Sequence, residues 1–505
     1  MNGVMHRITR SSGVLMPVFS LPSPHGIGTL GKEAFKFVDS LKDAGQTYWQ
    51  ILPLGPTGYG ASPYQTYSSC AGNPLLIDED SLLSSGLLSL SDIFEYDKAL
   101  PADSVLRVPY DVVEVQKMQL LNKAFHNASK SLLEEVNCFK EENISWLSDY
   151  ALFMAIKEHF GNVAVWDWSN KNLIRREPAE LAKYADLLKD RIDFFAFVQY
   201  QFFKQWSDLK AYANQNGIFF IGDIPIYPSP DSADVWASSH LFKVDEDLKA
   251  TGIAGVPPDI YSKTGQLWGN PVYEWDKHRD DGFKWWIWRI KQALKTADVI
   301  RIDHFRAFQS YWEIPFGSKT AMSGNWVDGP RMELFNAIKS ELGEVPIIAE
   351  DLGIIGDDVV NFVKETGYPG IKVLIFGMQQ GQNNIHLPYN WIPNCVGYTS
   401  THDSSTFKGE LGRLSNTDLE FMLNYLNCQN LEKVGFAAIR AAFSSPANLV
   451  IVPIGDILGL SDGARINVPG TVSPKNWSWR MIPKTLSNEL IEDLYLLTET
   501  YSRIN

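Results

Sequence analysis

Eight short apolar, β-branched or aromatic runs punctuate the chain, at residues 14–20, 48–54, 218–227, 299–305, 346–351, 370–376, 395–400 and 449–456. Their hydrophobicity is continuous rather than alternating, as expected of strands in a parallel sheet that helices cover. Between them the period becomes helical. Over residues 32–44, Ala34, Phe37, Val38 and Leu41 share one stripe, and Gly45 supplies a C-terminal stop. Residues 283–294, 331–342 (after Pro330) and 357–366 (ending at Gly367) repeat the pattern, and 489–501 is placed to close a ring. Eight β units with intervening helices predict an α/β fold, a (β/α)8 barrel over residues 1–505.

The spacing of the runs is uneven. The gap between the second and third is too long for one crossover, and its middle is helix-like, for example at 150–160 and 177–189. The expectation is a largely helical subdomain at 75–210, inserted into a barrel loop. Residues 228–281 and 455–481 are long, weakly periodic and rich in Gly, Pro and Trp. They are expected as long loops on the C-terminal face, the first over the active site and the second after the last strand, because long ordered loops in a compact enzyme are usually functional.

Composition narrows the class. The chain has 505 residues and a net charge of −14, which argues against a nucleic-acid partner, since such binding rests on basic surface. A hydrophobic share of 45% with 21% charged residues supports a large core. Cys70, Cys138, Cys395 and Cys428 are scattered, without a Cys-x-x-Cys pair, as suits a reducing compartment. The N-terminal apolar stretch is broken by Pro17, unlike a signal peptide, and no window of about 18 apolar residues occurs, so a cytoplasmic location with no membrane partner is expected. The aromatic load is high, with 16 Trp, 20 Tyr and 27 Phe, which means a big core, a stacking surface, or both.

Gly26-Ile-Gly-Thr-Leu-Gly31 matches a dinucleotide fingerprint, but the next run ends Leu54-Gly-Pro56 without the acid that such a site needs for the ribose. It reads as a turn packing a helix on a barrel. Catalysis in such a barrel sits at the C-terminal ends of the strands, and those ends are acid-rich. They carry Asp223, Arg301 and Asp303, His304, Glu350 and Asp351, His402 and Asp403, and Asp456. Arg301 and Asp303 leave the same face of a strand. Either they form a buried structural ion pair, or the guanidinium keeps Asp303 ionised as a nucleophile requires. Glu350 follows three apolar residues, and desolvation would raise its pKa and suit a general acid. Two carboxyls in opposite protonation states make a glycosidase pair. Asp303, His304, Glu350, Asp351, His402 and Asp403 offer a rival metal site, but no His-x-His or His-Glu-x-x-His spacing supports it and Arg301 would repel the cation.

Aromatics stand in the predicted rim loops as well. Tyr59 and Trp268 are flanked by Gly and Pro, and sugar rings stack their C–H faces on such side chains. Trp477 and Trp479 follow the last strand on the same rim, whereas Trp285, Trp286 and Trp288 share a helix and belong at least partly to the core.

The ordered set of motifs resembles a known family, the 4-α-glucanotransferases of glycoside hydrolase family 77. It comprises Leu52-Pro-Leu-Gly-Pro-Thr-Gly-Tyr-Gly60 with Ser62-Pro-Tyr-Gln65, then Asp223-Ile-Pro-Ile226, Ala254-Gly-Val-Pro-Pro-Asp259 and Thr264-Gly-Gln-Leu-Trp-Gly-Asn-Pro271. Arg301-Ile-Asp-His-Phe-Arg306, Ala349-Glu-Asp-Leu-Gly353, Thr401-His-Asp403 and Asn467-Val-Pro-Gly470 follow, so the set spans nearly the whole chain. The resemblance implies a barrel with insertions and a retaining mechanism without metal or cofactor. It implies Asp303 as nucleophile, Glu350 as general acid/base and Asp403 as the third acid. Arg301, His402, Tyr59, Trp268, His304 and Asn467 are implied as subsite contacts, and the loops around 255–269 and 465–479 as covers of the cleft. The implied partners are maltooligosaccharides and starch- or glycogen-derived α-1,4-glucans. An α-amylase-like hydrolase and a non-catalytic glucan-binding protein are the alternatives. The sequence departs from the family pattern at Gln379, Gln380, Gln382 and His386-Leu-Pro-Tyr-Asn390, where an acid and Leu-Pro-His-Asn are usual, and at Ser404-Ser405, where Asn-Asp is common.

Overall fold

A computed structural model of the protein describes residues 8–258, 262–353, 355–378 and 384–504. Gln379, Gln380 and Gln382, and Asp259 at the end of its motif, lie outside the described residues. Twelve strands occur among the described residues: β1 (Ser11–Leu15), β2 (Tyr48–Gln50), β3 (Phe219–Ile224), β4 (Gly252–Val256), β5 (Gln266–Pro271), β6 (Val299–Ile302), β7 (Ser310–Pro315), β8 (Asn325–Asp328), β9 (Ile347–Ala349), β10 (Gly370–Val373), β11 (Cys395–Tyr398) and β12 (Leu449–Pro453). Eight of them close into a parallel barrel in the order β1-β2-β3-β6-β9-β10-β11-β12. Each of the eight expected runs contains or overlaps one barrel strand.

The first run is shifted. Ser11 and Ser12 are polar and carry no strand signal, yet both are fully buried and pair with Leu449 and Val450. Pro17, which lacks an N–H, stands where the run was expected to continue, and Val18–Ser20 turns into a 3-10 helix. The helices between strands follow their apolar stripes. They include Lys32–Asp43, Lys284–Thr296, Met332–Leu342 and Asp357–Thr366, the last ending on Gly367 at φ 77°. After the C-terminal helix Asn488–Thr500, the buried Arg503 donates to the carbonyls of Ser11, Phe443, Ala447 and Ser445 at 3.0–3.2 Å. One guanidinium thus locks the seam where β1 meets β12.

Between β2 and β3 the chain forms eight α-helices. They share the barrel's core. In the longest, Lys189–Gln215, Trp206 packs 4.8 Å from Phe220 of β3, and Gly72 lies so close to Phe202 that a Cβ there would come within 1.9 Å of the ring. Lys117 and Glu79 form a fully buried ion pair beneath these helices, with a second Lys117 bond of 2.7 Å to the Ile77 carbonyl. The glycine motif at 26–31 has a packing explanation. A Cβ at Gly28 would lie 1.9 Å from the Val18 carbonyl oxygen, and one at Gly31 1.9 Å from the carboxylate of Asp78.

The segment expected as an irregular loop at 228–281 contains β4 and β5. These join β7 and β8 in an antiparallel sheet of order β5-β4-β7-β8 standing outside the barrel. Gly252, Gly255 and Gly269 deprive these strands of an alternating pattern. At Gly255 a Cβ would approach the Gln266 carbonyl oxygen to 2.2 Å, so the close pairing requires glycine there.

Removing one partner of a buried ion pair strands the other charge without water. Lys117→Met is expected to lower the unfolding free energy by about 3–5 kcal/mol, read as a lower denaturation midpoint. An unchanged midpoint would show that the pair carries no such role.

Candidate active site

The chain after each barrel strand brings its charge to one mouth. Pairing of β3 with β6 sets Asp223 directly opposite Arg301. Arg301, 5% exposed, reaches both ways: Nη1 donates to the two oxygens of Asp223 at 2.7 and 2.6 Å, and Nη2 donates to Asp303 Oδ1 at 2.7 Å. Such charge-assisted bonds fix geometry as well as charge. Burial pushes Asp303 above the usual carboxylate range, and Asp223 and Asp403 add to the push against the pull of Arg301. This corrects the expectation that Arg301 alone would hold it low: several carboxylates share the one guanidinium.

Glu350 follows β9 and is 7% exposed. The turn after β6 wraps around it, with His304 N–H donating to Oε2 at 2.7 Å and Phe305 N–H to its carbonyl at 2.9 Å, while from its own loop Leu352 N–H donates to Oε1 at 2.8 Å. His304 takes a left-handed conformation, φ 54°, to aim its amide there, a strained backbone of the kind found at functional sites. Burial raises the Glu350 carboxyl to about 8, reinforced by the charge of Asp303. Burial also depresses the His304 imidazole to about 3, so that ring is neutral.

After β11 stands a second cluster. His402 Nε2 lies 3.3 Å from Asp403 Oδ2 and 2.8 Å from the hydroxyl oxygen of Tyr64. Asn467 Nδ2 donates to Asp403 Oδ1 at 2.7 Å. Burial opposes the charge on Asp403, but His402, Asn467 and Arg301 prevail and hold it at about 2. Burial likewise opposes protonation of His402, and Asp403 overrides it, raising the imidazole. Tyr64 joins the clusters, because its hydroxyl also donates to Asp223 Oδ2 at 2.7 Å. Arg465 braces the far side, donating to the carbonyls of Asp403 at 2.7 Å and Asn467 at 2.6 Å.

These groups floor a cleft of about 1230 Å³. All nine sequence-predicted site residues line it: Asp303, Glu350, Asp403, Arg301, His304, His402, Asn467, Trp268 and Tyr59. The first eight lie at or near the floor. Trp268 meets the His304 ring edge-on at 4.7 Å. Tyr59 instead stands at the rim, 76% exposed. Trp477 lines the cleft and packs 5.6 Å from Tyr64, whereas Trp479 is buried outside the lining, its backbone bridged to Arg107. Trp285 and Trp286 are core, as expected.

Sequence reasoning gave no role to Asp223, Tyr64 or Arg465. Asp223 is legible only through strand register, and Tyr64 was present within its motif but overshadowed by Tyr59. Asp351 and Asp456 point elsewhere: Asp351 accepts the Ile371 N–H at 2.6 Å, and Asp456 takes the hydroxyls of Thr399 and Ser400 and the Phe407 N–H. Among the described residues, no three His, Cys, Asp or Glu side chains are arranged to hold a metal ion.

The comparisons with known proteins agree over almost the whole chain. The glycoside hydrolase 77 profile, described as 4-alpha-glucanotransferase, matches residues 16–485. The 4-alpha-glucanotransferase of Clostridium butyricum is 44% identical over 97% of this chain and 100% of its own, and that of Synechocystis is 46% identical over 98% of each. The amylomaltase of Streptococcus agalactiae, solved in complex with acarbose, superposes with a TM-score of 0.95 at 41% identity, covering 98% of this chain and 100% of that one. An amylomaltase from Corynebacterium glutamicum shares the fold at 19% identity, with a TM-score of 0.76 over 97% of this chain and 75% of its own. The chain belongs to the 4-alpha-glucanotransferase family, glycoside hydrolase family 77.

Proposed function

We propose that this cleft carries out 4-α-glucan transfer by double displacement, with Asp303 as nucleophile, Glu350 as general acid/base and Asp403 as the third acid. The observation that carries the assignment is the division of environments. Asp303 touches a guanidinium at 2.7 Å, while Glu350 is buried among backbone N–H groups and raised to about 8. In this reading the guanidinium-bonded Asp303 is the carboxylate of the pair and Glu350 the acid that holds its proton.

Glu350 protonates the glycosidic oxygen as Asp303 attacks the anomeric carbon, giving a β-linked glucosyl ester through an oxocarbenium-like transition state. The leaving glucan departs as the alcohol. Glu350, now a carboxylate, takes the proton from the 4-hydroxyl of an incoming glucan, which attacks the ester and restores the α-1,4 link with retention. Retention in this chemistry calls for carboxyls about 5–5.5 Å apart. Asp403, held ionised by His402 and Asn467, is suited to accept hydroxyls of the sugar at the cleavage point and to favour its distorted form. Tyr59 and Trp268 offer aromatic faces for neighbouring sugars. The substrates in this reading are maltooligosaccharides and longer α-1,4-glucans, and acarbose, bound by the Streptococcus agalactiae relative, should occupy the same cleft. The four cysteines are unpaired, in keeping with a cytoplasmic site of action.

Two measurements test this. With maltotriose alone, glucose and products longer than maltotriose are expected, and Asp303→Ala should lower turnover by roughly four orders of magnitude or more while the fold survives. Only shorter products, or near-normal turnover of the variant, would overturn the assignment. The second is a pH profile. Because Glu350 must hold its proton in the free enzyme, kcat/KM should fall as pH rises through about 8. Loss already above about pH 5, near an unshifted carboxylate, would contradict its role.

A further inference from the structure

Beyond Trp268, the outer sheet presents a second tryptophan to the cleft. Trp326 in β8 is 44% exposed, and it lines the same cleft as Asp303 and Glu350. It is not part of the apolar core of its sheet. The small core of the outer sheet consists of Ala250, Ile253, Ile314 and Ala321 with Trp312 against them, and Trp326 stands outside it.

Its placement is nonetheless fixed. Trp312 meets it edge-on at 5.2 Å, and the Trp312 indole N–H is anchored on the Ala321 carbonyl at 2.8 Å. The guanidinium of Arg306, 7% exposed, lies 4.1 Å from the Trp326 ring centroid. One face of the indole is thus backed by a buried cation while the ring remains open to the cleft. A flat side chain already held in place loses little conformational freedom when a ligand stacks on it.

The connections of this wall say which part of a glucan it meets. In the reaction proposed above, Glu350 stands at the oxygen exchanged between leaving and incoming chains. His304 donates its N–H to Glu350 and abuts Trp268. Two residues further along the same turn, Arg306 supports Trp326. The other cluster, His402, Asp403 and Asn467, follows β11 and β12 across the barrel. Trp268 and Trp326, on the two edge strands of the outer sheet, therefore both stand on the side of Glu350.

We propose that Trp326 is a stacking platform for a glucosyl unit of the acceptor glucan beyond the unit whose 4-hydroxyl attacks. This rests on the transferase reading and deepens it: the site would favour acceptors long enough to reach Trp326 over glucose. The ligand class is the apolar face of an α-1,4-linked glucose unit.

The test uses the full chain with α-maltosyl fluoride as donor and labelled glucose or labelled maltotetraose as acceptor. In Trp326→Ala, the ratio of KM for maltotetraose to KM for glucose should rise about ten-fold, the scale of one lost ring contact, and Trp326→Phe should restore most of the ratio. A ratio equal to that of the unmodified protein in Trp326→Ala would overturn the proposal. So would a ratio that Phe fails to restore when that variant melts normally. Absence of label transfer to either acceptor in the unmodified protein would instead defeat the transferase reading, and this inference with it.

Discussion

The chemistry of this mouth depends on one buried guanidinium. Four acids, Asp223, Asp303, Glu350 and Asp403, converge where the barrel strands end, and the Coulomb cost of that many like charges away from water is large. Arg301 lies between two of them, bidentate on Asp223 and bonded to Asp303. Burying an arginine costs several kcal/mol, which multiple charge-assisted bonds offset. His402 does the corresponding work for Asp403. Glu350 has no cation in direct contact, and burial and the charge of Asp303 raise it to about 8 against the two backbone N–H groups it accepts. The two proposed catalytic acids thus differ in that Asp303 touches the Arg301 charge while Glu350 does not.

The fold positions that charge through register. β3 and β6 are sequence-distant but adjacent in the barrel, and their pairing puts Asp223 opposite Arg301. The eight-helix excursion between β2 and β3 leaves this pairing intact because it shares the barrel's core, through contacts such as Trp206 against Phe220. Tyr64 then joins the Arg301 cluster to the His402 cluster with one hydroxyl. The site is one network rather than a row of independent side chains, and substitutions within it are not expected to be additive.

Much of this was legible in the sequence. Continuous apolar runs located every barrel strand, because a strand covered on both faces has little room for polar residues. Charges at the run ends identified Arg301, Asp303, Glu350, His402 and Asp403, because barrel geometry collects strand ends at one mouth. What was hidden depends on pairing or on backbone. Ser11 and Ser12 are strand residues without strand chemistry, placed by the parallel pairing of their backbone with β12. The outer sheet was invisible because Gly252, Gly255 and Gly269 interrupt the apolar pattern of its strands, Gly255 for close approach to Gln266 and Gly269 at a φ of 78°. Asp223 looked like one strand-end acid among several until its neighbour across the ladder was known. Tyr59 and Tyr64 are five residues apart in one loop, and only the three-dimensional path shows that Tyr64 turns inward while Tyr59 faces solvent.

The central claim is that Asp303 attacks and Glu350 serves the departing and arriving oxygens. The most direct measurement traps the ester. Glu350→Gln treated with α-maltosyl fluoride, whose leaving group needs little acid assistance, should accumulate a covalent maltosyl adduct, since the base that activates the acceptor is gone. Digestion and mass spectrometry should find the added mass on Asp303. An adduct on Asp403 or on any other residue, or a burst of fluoride release with no adduct at all, would contradict the account.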